Sequence, residues 1–156
     1  MDAPAPETRE SGTGSPGARC ILAFTLETQE FGLPLDAIVE IIAHGHVTPV
    51  PHPEPAIEGI LPLRGRMVTL LNLRRLLDRP EREAGSSAQI IVTETSGDLL
   101  GLVVDTVTRV MTTSAIPEPL ERVAGLDGAG PFEGTVRSGD GRMILLDLPA
   151  ILRGLE

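Results

Sequence analysis

The sequence predicts an all-β fold with short helices, arranged as two related β-barrels. The main observation is an internal repeat: segment 31–42 recurs without a gap as 100–111, and segment 65–73 recurs with one deletion as 141–148. The apolar stretches are short, rich in Val, Ile and Leu, and broken by turn residues about every 8–12 positions, as in small barrels. Two copies are too few for a solenoid. We therefore expect one unit of twin barrels, with repeats at about 21–77 and 89–152.

The first repeat is predicted to hold five strands and a short helix. Each apolar stretch ends at polar or turn-forming residues, such as Glu27 to Glu30 and the pair Arg64-Gly65. Asp36 is placed to cap a single helical turn. A further short helix is expected to begin at Glu54-Pro55, because proline fits the first turn of a helix. The predicted strands are 21–26, 31–35, 39–43, 59–63 and 66–72, followed by a helix at 73–77.

The second repeat follows the same plan after a charged connection at 78–87. Ser96-Gly97-Asp98 and Gly139-Asp140-Gly141 have the composition of tight hairpin turns. Closure of each barrel would hide strand edges, which an aliphatic chain needs in order to avoid aggregation. The predicted strands are 89–95, 99–105, 107–112, 132–137 and 142–147, and a helix at 148–155 ends the chain.

Composition limits the function classes. Residues 1–19 carry few apolar side chains, so we expect a disordered N-terminal tail before a folded domain at 20–156. The single cysteine, Cys20, indicates a reducing compartment, and neither a secretory signal nor a membrane-spanning stretch is visible. We therefore expect a cytoplasmic protein without direct membrane insertion. A net charge of −9 and only three aromatic residues argue against nucleic acid as a partner.

Motifs for catalysis or cofactor binding are weak. The chain has no nucleophile elbow, phosphate-binding loop or zinc-protease motif. His44 and His46 could share a strand face and His52 is near, but no acidic or thiol residue follows at a familiar metal-ligand spacing. We expect no enzymatic activity, no cofactor and no metal. One turn differs between the repeats, because Arg64 in the first copy corresponds to Ser138-Gly139-Asp140 in the second. This difference suggests a site on one repeat only.

Several of these segments, taken in order, resemble the CheW-like family, the coupling module of bacterial chemosensory signalling. The most specific combination is Leu-Arg-Gly at 63–65 followed by Gly-Leu-Val-Val-Asp at 101–105. The resemblance extends over residues 21–152. The matching stretches are 24–26 with 31–33, 38–41, 57–60, 63–65, 71–74, 101–107 and 145–148.

The resemblance implies two intertwined five-stranded SH3-like barrels, related by a pseudo-two-fold axis, with a groove between them. It implies a non-enzymatic adaptor in cytoplasmic chemoreceptor arrays. The expected partners are the regulatory domain of a CheA-type histidine kinase, the cytoplasmic tip of methyl-accepting chemoreceptors, and other CheW-like domains. By residue match, the expected protein-binding residues are Arg64 and Gly65 on a receptor-groove turn, Ile38, Glu40 and Gly59 on the first barrel, and Val104 and Asp105 on a second-barrel strand that walls the groove.

Three departures from the family pattern leave an alternative open, and one of them is the short loop from Pro119 to Gly130. Pro62 stands where asparagine is usual, and it removes a backbone donor from the strand entering the turn. Thr69 stands where proline is frequent. These changes would suit a divergent CheW-like scaffold of a non-flagellar chemosensory pathway that lacks one of the two partner interfaces. A second alternative is a small-ligand-binding sensor that uses the groove between the barrels as its pocket.

Overall fold

The computed structural model describes residues 17–45, 47–83, 85–119 and 131–155. Of the tail expected at 1–19, residues 1–16 lie outside the described residues. The first strand begins at Arg19, inside the range predicted for the tail. A 3₁₀ turn at Leu35–Ala37 joins β2 to β3. The elements are β1 Arg19–Leu26, β2 Gln29–Pro34, β3 Ile38–Ala43, β4 Ile57–Leu63, β5 Arg66–Asn72, α1 Leu73–Leu76, β6 Gln89–Thr95, β7 Asp98–Val104, β8 Thr106–Thr113, β9 Phe132–Ser138, β10 Gly141–Leu146 and α2 Leu148–Gly154.

Each of the two sheets combines strands from both repeats. One sheet has the order β8-β1-β2-β10-β9, and the other has the order β3-β6-β7-β5-β4. The two orders are equivalent: each strand of one sheet is replaced in the other sheet by its counterpart in the other repeat, so that β1 corresponds to β6 and β8 to β3. The first hairpin of each repeat therefore pairs with the last three strands of the other repeat, which confirms the intertwined pair of five-stranded units. Among the described strands, the chain passes between the sheets twice, after β2 and after β7.

The largest apolar core lies between the two sheets. It contains the stacked rings of Phe24 and Phe31, whose centroids are 5.8 Å apart, together with Leu71, Leu102 and Ile144. Each barrel adds a small core of its own on the opposite face of its strands. Since complete burial of such a side chain contributes about 1.5–3 kcal/mol, the shared core contributes strongly to holding the two barrels together.

The expected closure of the barrels is completed by side chains rather than by backbone hydrogen bonds. In the second sheet, the edge strands β3 and β4 each carry a bulge, and bulges interrupt the ladder and turn an edge away from further pairing. Glu40 on β3 instead reaches Arg64 in the β4–β5 turn. In the first sheet, Arg109 on β8 reaches Ser138 at the end of β9. Each seam is therefore bridged by a polar contact near a hairpin tip, and the second sheet adds a contact between His44 and Glu58 (3.0 Å).

Two local predictions are wrong. Residues 54–56 form a turn rather than a helix, because the Glu54 carboxylate accepts the Ala56 N–H (3.0 Å) and the chain at once enters β4 at Ile57. Asp36 lies inside the 3₁₀ turn and is exposed, and the residue before that turn, Pro34, has no side-chain cap. At residues 54–56 the turn is also joined to β5, since the Ala56 carbonyl accepts the N–H of Asn72 (2.7 Å).

Pro62 leaves the strand ladder intact. It lies on the edge strand β4, opposite Met67 of β5, and one step from the Leu63–Arg66 pair that closes the hairpin turn. Paired residues in antiparallel strands alternate between hydrogen-bonded and non-hydrogen-bonded positions, so the nitrogen of Pro62 faces away from β5. Proline is tolerated on edge strands for this reason. The β4–β5 pairing is regular from Gly59 to Leu63, and the bulge of β4 lies between Ile57 and Gly59.

Candidate protein-binding site

The candidate site begins with the turn that joins β4 to β5. Arg64 and Gly65 both have positive φ angles, 52° and 81°, as a two-residue turn of type I′ requires. The turn projects Arg64 into solvent, and its side chain is 72% exposed. No atom would lie within 4 Å of a Cβ added at Gly65, so the backbone conformation rather than crowding favours glycine there.

Arg64 is held by Glu40 across the open seam of the second barrel. Both terminal nitrogens of Arg64 donate to the Glu40 carboxylate, one of them at 3.2 Å. The hydrogen bond from Glu40 raises the pKa of Arg64 above its ordinary value. A bidentate pair fixes the plane of the guanidinium group, although much of its surface stays in water. The result is an oriented, accessible arginine, which is the residue type that anchors many protein interfaces.

An apolar strip lies on the same strand as Glu40. Val39 is 49% exposed and Ile41 is 39% exposed, and they alternate with Ile38 and Glu40, which are more covered. Successive side chains of a strand point to opposite faces, so Val39 and Ile41 share the outer face of β3. Because β3 is an edge strand, this face is accessible, and so is the ion pair of Glu40 and Arg64. Ile38, at the start of β3, packs partly against the shared core.

Gly59 is buried below the chain rather than exposed. A Cβ at this position would lie 2.1 Å from the carbonyl oxygen of Thr48, which crosses directly over β4. Thr48 and Ile60 exchange two backbone hydrogen bonds, of 2.9 and 3.3 Å, at this crossing. The second repeat has the same arrangement, in which Gly134 lies under Glu118. Gly59 therefore permits a close backbone approach, and any effect on a partner is indirect.

Val104 and Asp105 lie where the chain leaves the second sheet for the first. Val104 is completely buried in the shared core. The Asp105 carboxylate accepts the Glu27 backbone N–H (2.7 Å) and the Nε–H of Arg74 (2.9 Å), with a further hydrogen bond from the Nη2 of Arg74. The backbone N–H of Asp105 donates to Thr25 (3.2 Å). These contacts join α1 of the second barrel to the β1–β2 hairpin of the first.

The surroundings of Asp105 favour its ionised form. Burial is the largest single influence and raises the pKa of Asp105, but the Arg74 hydrogen bonds, the Glu27 N–H and the charges of Arg74 and Arg82 together lower the pKa below its ordinary value of 3.8. In return, the hydrogen bond from Asp105 raises the pKa of Arg74. Both side chains are largely covered, at 13% and 16% exposure, so solvent screens this pair less than the surface pairs.

The structure therefore divides the predicted residues into separate groups. Glu40, Arg64 and Gly65 meet at one seam, and Ile38 begins the same strand as Glu40. Asp105 is not joined to them among the described contacts, because it bonds to Arg74, Glu27 and Thr25. Gly59 and Val104 are buried.

Sequence reasoning missed the role of Arg74. It lies in a run of arginines that alternates with acidic residues, which predicts only a solvated, ion-paired connection. Its neighbour Arg75 does behave in that way, since it pairs with Glu81 (3.0 Å) on the surface. Two signals were available: Arg74 lies in the stretch 71–74 that resembles the family, and it directly follows Asn72-Leu73, where Asn72 caps α1 by accepting the Arg75 N–H (3.1 Å).

The corresponding position in the first barrel, where β8 approaches the end of β9, carries different side chains. Arg109 occupies the position that corresponds to Glu40, and it contacts both Ser138 and Glu30. Ser138 also donates to Glu30, and Ser138 itself is buried. The charges at this position are thus satisfied within one small network. The repeats therefore differ at this turn, as expected from Ser138-Gly139-Asp140, and Arg64 in the second barrel is more exposed (72%) than Arg109 in the first (47%).

The described residues do not assemble into a metal centre. Among them, no group of three or more His, Cys, Asp or Glu side chains could hold a metal ion. His44 bonds to Glu58 (3.0 Å), His52 accepts the Glu54 N–H (2.9 Å), and His46 lies outside the described residues. No helix in the described part of the chain has both the length and the apolar character to cross a membrane.

Comparison with known proteins gives a consistent result. A protein-family model described as CheW-like domain matches residues 21–156. The chemotaxis protein CheW of Thermotoga maritima is 31% identical over 133 residues, which cover 85% of this chain and 86% of that protein. The chemotaxis protein CheW of Rhizobium meliloti is 30% identical over 131 residues, covering 83% and 84%. The crystal structure of the scaffolding protein TtCheW from Thermoanaerobacter tengcongensis superposes with a TM-score of 0.73 at 28% identity, and the match covers 82% of this chain and 88% of that one.

Proposed function

The chain belongs to the CheW-like domain family, and we propose that it is a non-enzymatic adaptor that couples a CheA-type histidine kinase to methyl-accepting chemoreceptors. The observation that carries the proposal is the match of the CheW-like domain model over residues 21–156. The similar proteins are chemotaxis proteins and a scaffolding protein by name. We place the adaptor in the cytoplasm, at the receptor arrays.

The surface of the second barrel supports this function. An adaptor must present faces to which other proteins bind, and such faces combine apolar area with an arginine or aromatic anchor. Val39 and Ile41 supply the apolar area on an edge strand, and Arg64 supplies the anchor. Because the chain has few aromatic residues, each interface is expected to be modest. Many weak contacts in an array still give firm assembly, since each added contact is effectively intramolecular.

The seven residues have different roles in this proposal. Arg64 and Gly65 contact the receptor tip, and Glu40 orients Arg64 while contributing to the same face. Ile38 positions the outer strip of β3. Gly59, Val104 and Asp105 act through the fold: Gly59 admits the crossing chain, Val104 packs between the barrels, and Asp105 joins them. Other CheW-like domains are further partners for the same exposed strand edge.

Binding measurements with purified components test the function. We expect the chain to bind the regulatory domain of a CheA-type kinase and a receptor cytoplasmic fragment, and to retain the kinase on the fragment only when all three are mixed. Arg64→Ala should weaken receptor binding more than about tenfold, as expected for an interface arginine. Arg66→Ala is the matched control, because Arg66 flanks the same turn and pairs on the surface with Glu94 (3.4 Å).

Two results would contradict the proposal in different ways. Undiminished receptor binding by Arg64→Ala would reject the turn as the receptor contact while leaving the adaptor function in place. Failure of the wild-type chain to bind either partner would reject the adaptor function itself.

Glu40→Lys should disturb partner binding with little change in melting temperature, since Glu40 lies in an exposed seam rather than in a core.

A further inference from the structure

The two crossings between the barrels are equivalent in topology but not in chemistry. The first crossing follows β2 and contains Asp36, and the second follows β7 and contains Asp105. In the repeat, Phe31 to Asp36 corresponds to Leu100 to Asp105. The helix that follows each last strand is also equivalent, since Asn72 caps α1 and Asp147 caps α2 in the same way. The two crossings therefore share the same backbone topology, and they differ in their side chains.

The second crossing is held by side-chain hydrogen bonds that involve both barrels. Asp105 receives hydrogen bonds from the Glu27 backbone in the first sheet and from Arg74 at the start of α1, next to the second sheet. Arg74 also donates through Nη1 to the carbonyl of Pro80 (2.8 Å), which limits its movement. Arg79 adds a contact with the Glu27 side chain (3.3 Å). One carboxylate therefore ties both barrels together with three hydrogen bonds.

Among the contacts of the described residues, no equivalent hydrogen bonds occur at the corresponding positions of the first crossing. Asp36 is exposed, and Pro149, which has no side-chain donor, occupies the place that corresponds to Arg74. A cleft of about 410 Å³ lies there, bounded by Pro34, Ala37, Thr95 and Pro149. The two barrels are thus joined by side-chain hydrogen bonds at the second crossing, whereas a cleft borders the first.

We infer that Arg74 is a positioning residue, which acts through Asp105 to fix the orientation of the two barrels and so presets the surface between them for a protein partner. The inference rests on the proposed adaptor function only in its second part. A partner that contacts both barrels binds more tightly when the barrels are held in the bound orientation, because less conformational freedom is lost on association. The shared apolar core holds the barrels together, but apolar contact is non-directional and tolerates small rotations. The bidentate hydrogen bonds of Arg74 supply the missing directionality.

A distance measurement between the barrels tests the inference directly. Cys20 is an exposed native cysteine on β1 of the first sheet, and Met67 is 54% exposed on β5 of the second. Spin labels on Cys20 and on a Met67→Cys variant would report the distribution of distances between the barrels. We expect one narrow distribution in the parent and a broader one after Arg74→Gln. Arg74→Lys should be intermediate, because lysine keeps the charge but loses the two-pronged geometry.

The matched control is Arg75→Gln, which removes the neighbouring arginine of the same helix. Arg75 forms its ion pair with Glu81, six positions away on the same connection, so the distance distribution should not change. Asp105→Asn should broaden the distribution, and the double variant with Arg74→Gln should be little broader than either single one, since the pair is already broken. Circular dichroism below the melting transition would establish that each variant remains folded.

Partner binding completes the test. We expect Arg74→Gln to weaken binding of a partner that spans both barrels by about five- to tenfold, the lower end of typical couplings between sites. An unchanged distance distribution in folded Arg74→Gln would overturn the inference, as would a broadened distribution with unchanged affinity. If the wild-type chain bound neither kinase nor receptor, the adaptor function would fail, and the distance distribution alone would decide whether Arg74 orients the barrels.

Discussion

Replacing Gly59 with alanine should destabilise the protein through a clash with the chain that crosses β4. The new Cβ would lie 2.1 Å from the Thr48 oxygen, whereas real contacts of this kind stay above 3.0 Å, so the crossing segment must move by about 0.9 Å. That movement weakens two backbone hydrogen bonds between Thr48 and Ile60, of 2.9 and 3.3 Å. Each contributes about 1 kcal/mol, and overpacking adds about 1–3 kcal/mol. We expect a loss of about 2–5 kcal/mol in the free energy of unfolding.

Thermal unfolding followed by circular dichroism measures this loss. For a domain of this size, the expected decrease in melting temperature is roughly 5–15 °C. Gly154→Ala is the control, because nothing lies within 4 Å of its added Cβ and alanine favours the helix, so its stability should be equal or slightly higher. A melting temperature for Gly59→Ala within about 2 °C of wild type would refute the clash. Partner binding per folded molecule should be unaffected, because Gly59 is not on the surface.

Three further substitutions replace polar side chains. Asp105→Asn should lower stability at neutral pH. The pKa of Asp105 is lower in the folded state than its ordinary value of 3.8, so the ionised carboxylate stabilises the folded state above pH 3.8. That contribution is lost as the pH falls through the folded-state pKa. Urea unfolding at pH 7 and pH 3 should show the difference from wild type shrinking in acid, and an equal difference at both values would contradict this account. Asn72→Ala should cost about 1 kcal/mol or more, since it removes the α1 cap and the hydrogen bond to Glu58 (2.8 Å). Asp147→Ala should cost about 1 kcal/mol through the α2 cap alone, and equal losses in the two variants would show that the Glu58 bond contributes nothing.

Local patterns predicted the elements well where a strand ends at its own turn. The strand at 66–72 and the strand at 89–95 have the predicted bounds, because alternation and flanking turn residues are both local properties. The same reasoning failed at residues 54–56, where the Ala56 carbonyl accepts the N–H of Asn72 on β5, and at Asp36, where the chain crosses to the other sheet. The turn at Arg64-Gly65 was identified from sequence, but the partner of Arg64 across the seam depends on how the second sheet curves.

The repeat and its short aliphatic strands determined by themselves that the chain forms twin β-units, since a pattern of this length can bury its apolar face only by pairing with a similar one. Only the tertiary structure decided which hairpin joins which sheet, because both repeats offer compatible strands and the choice depends on non-local pairing. It also decided that Gly59 and Val104 are interior and that Arg74, rather than a neighbouring arginine, meets Asp105. Hydrogen bonds between side chains so distant in sequence depend on the orientation of whole sheets, which no local pattern encodes.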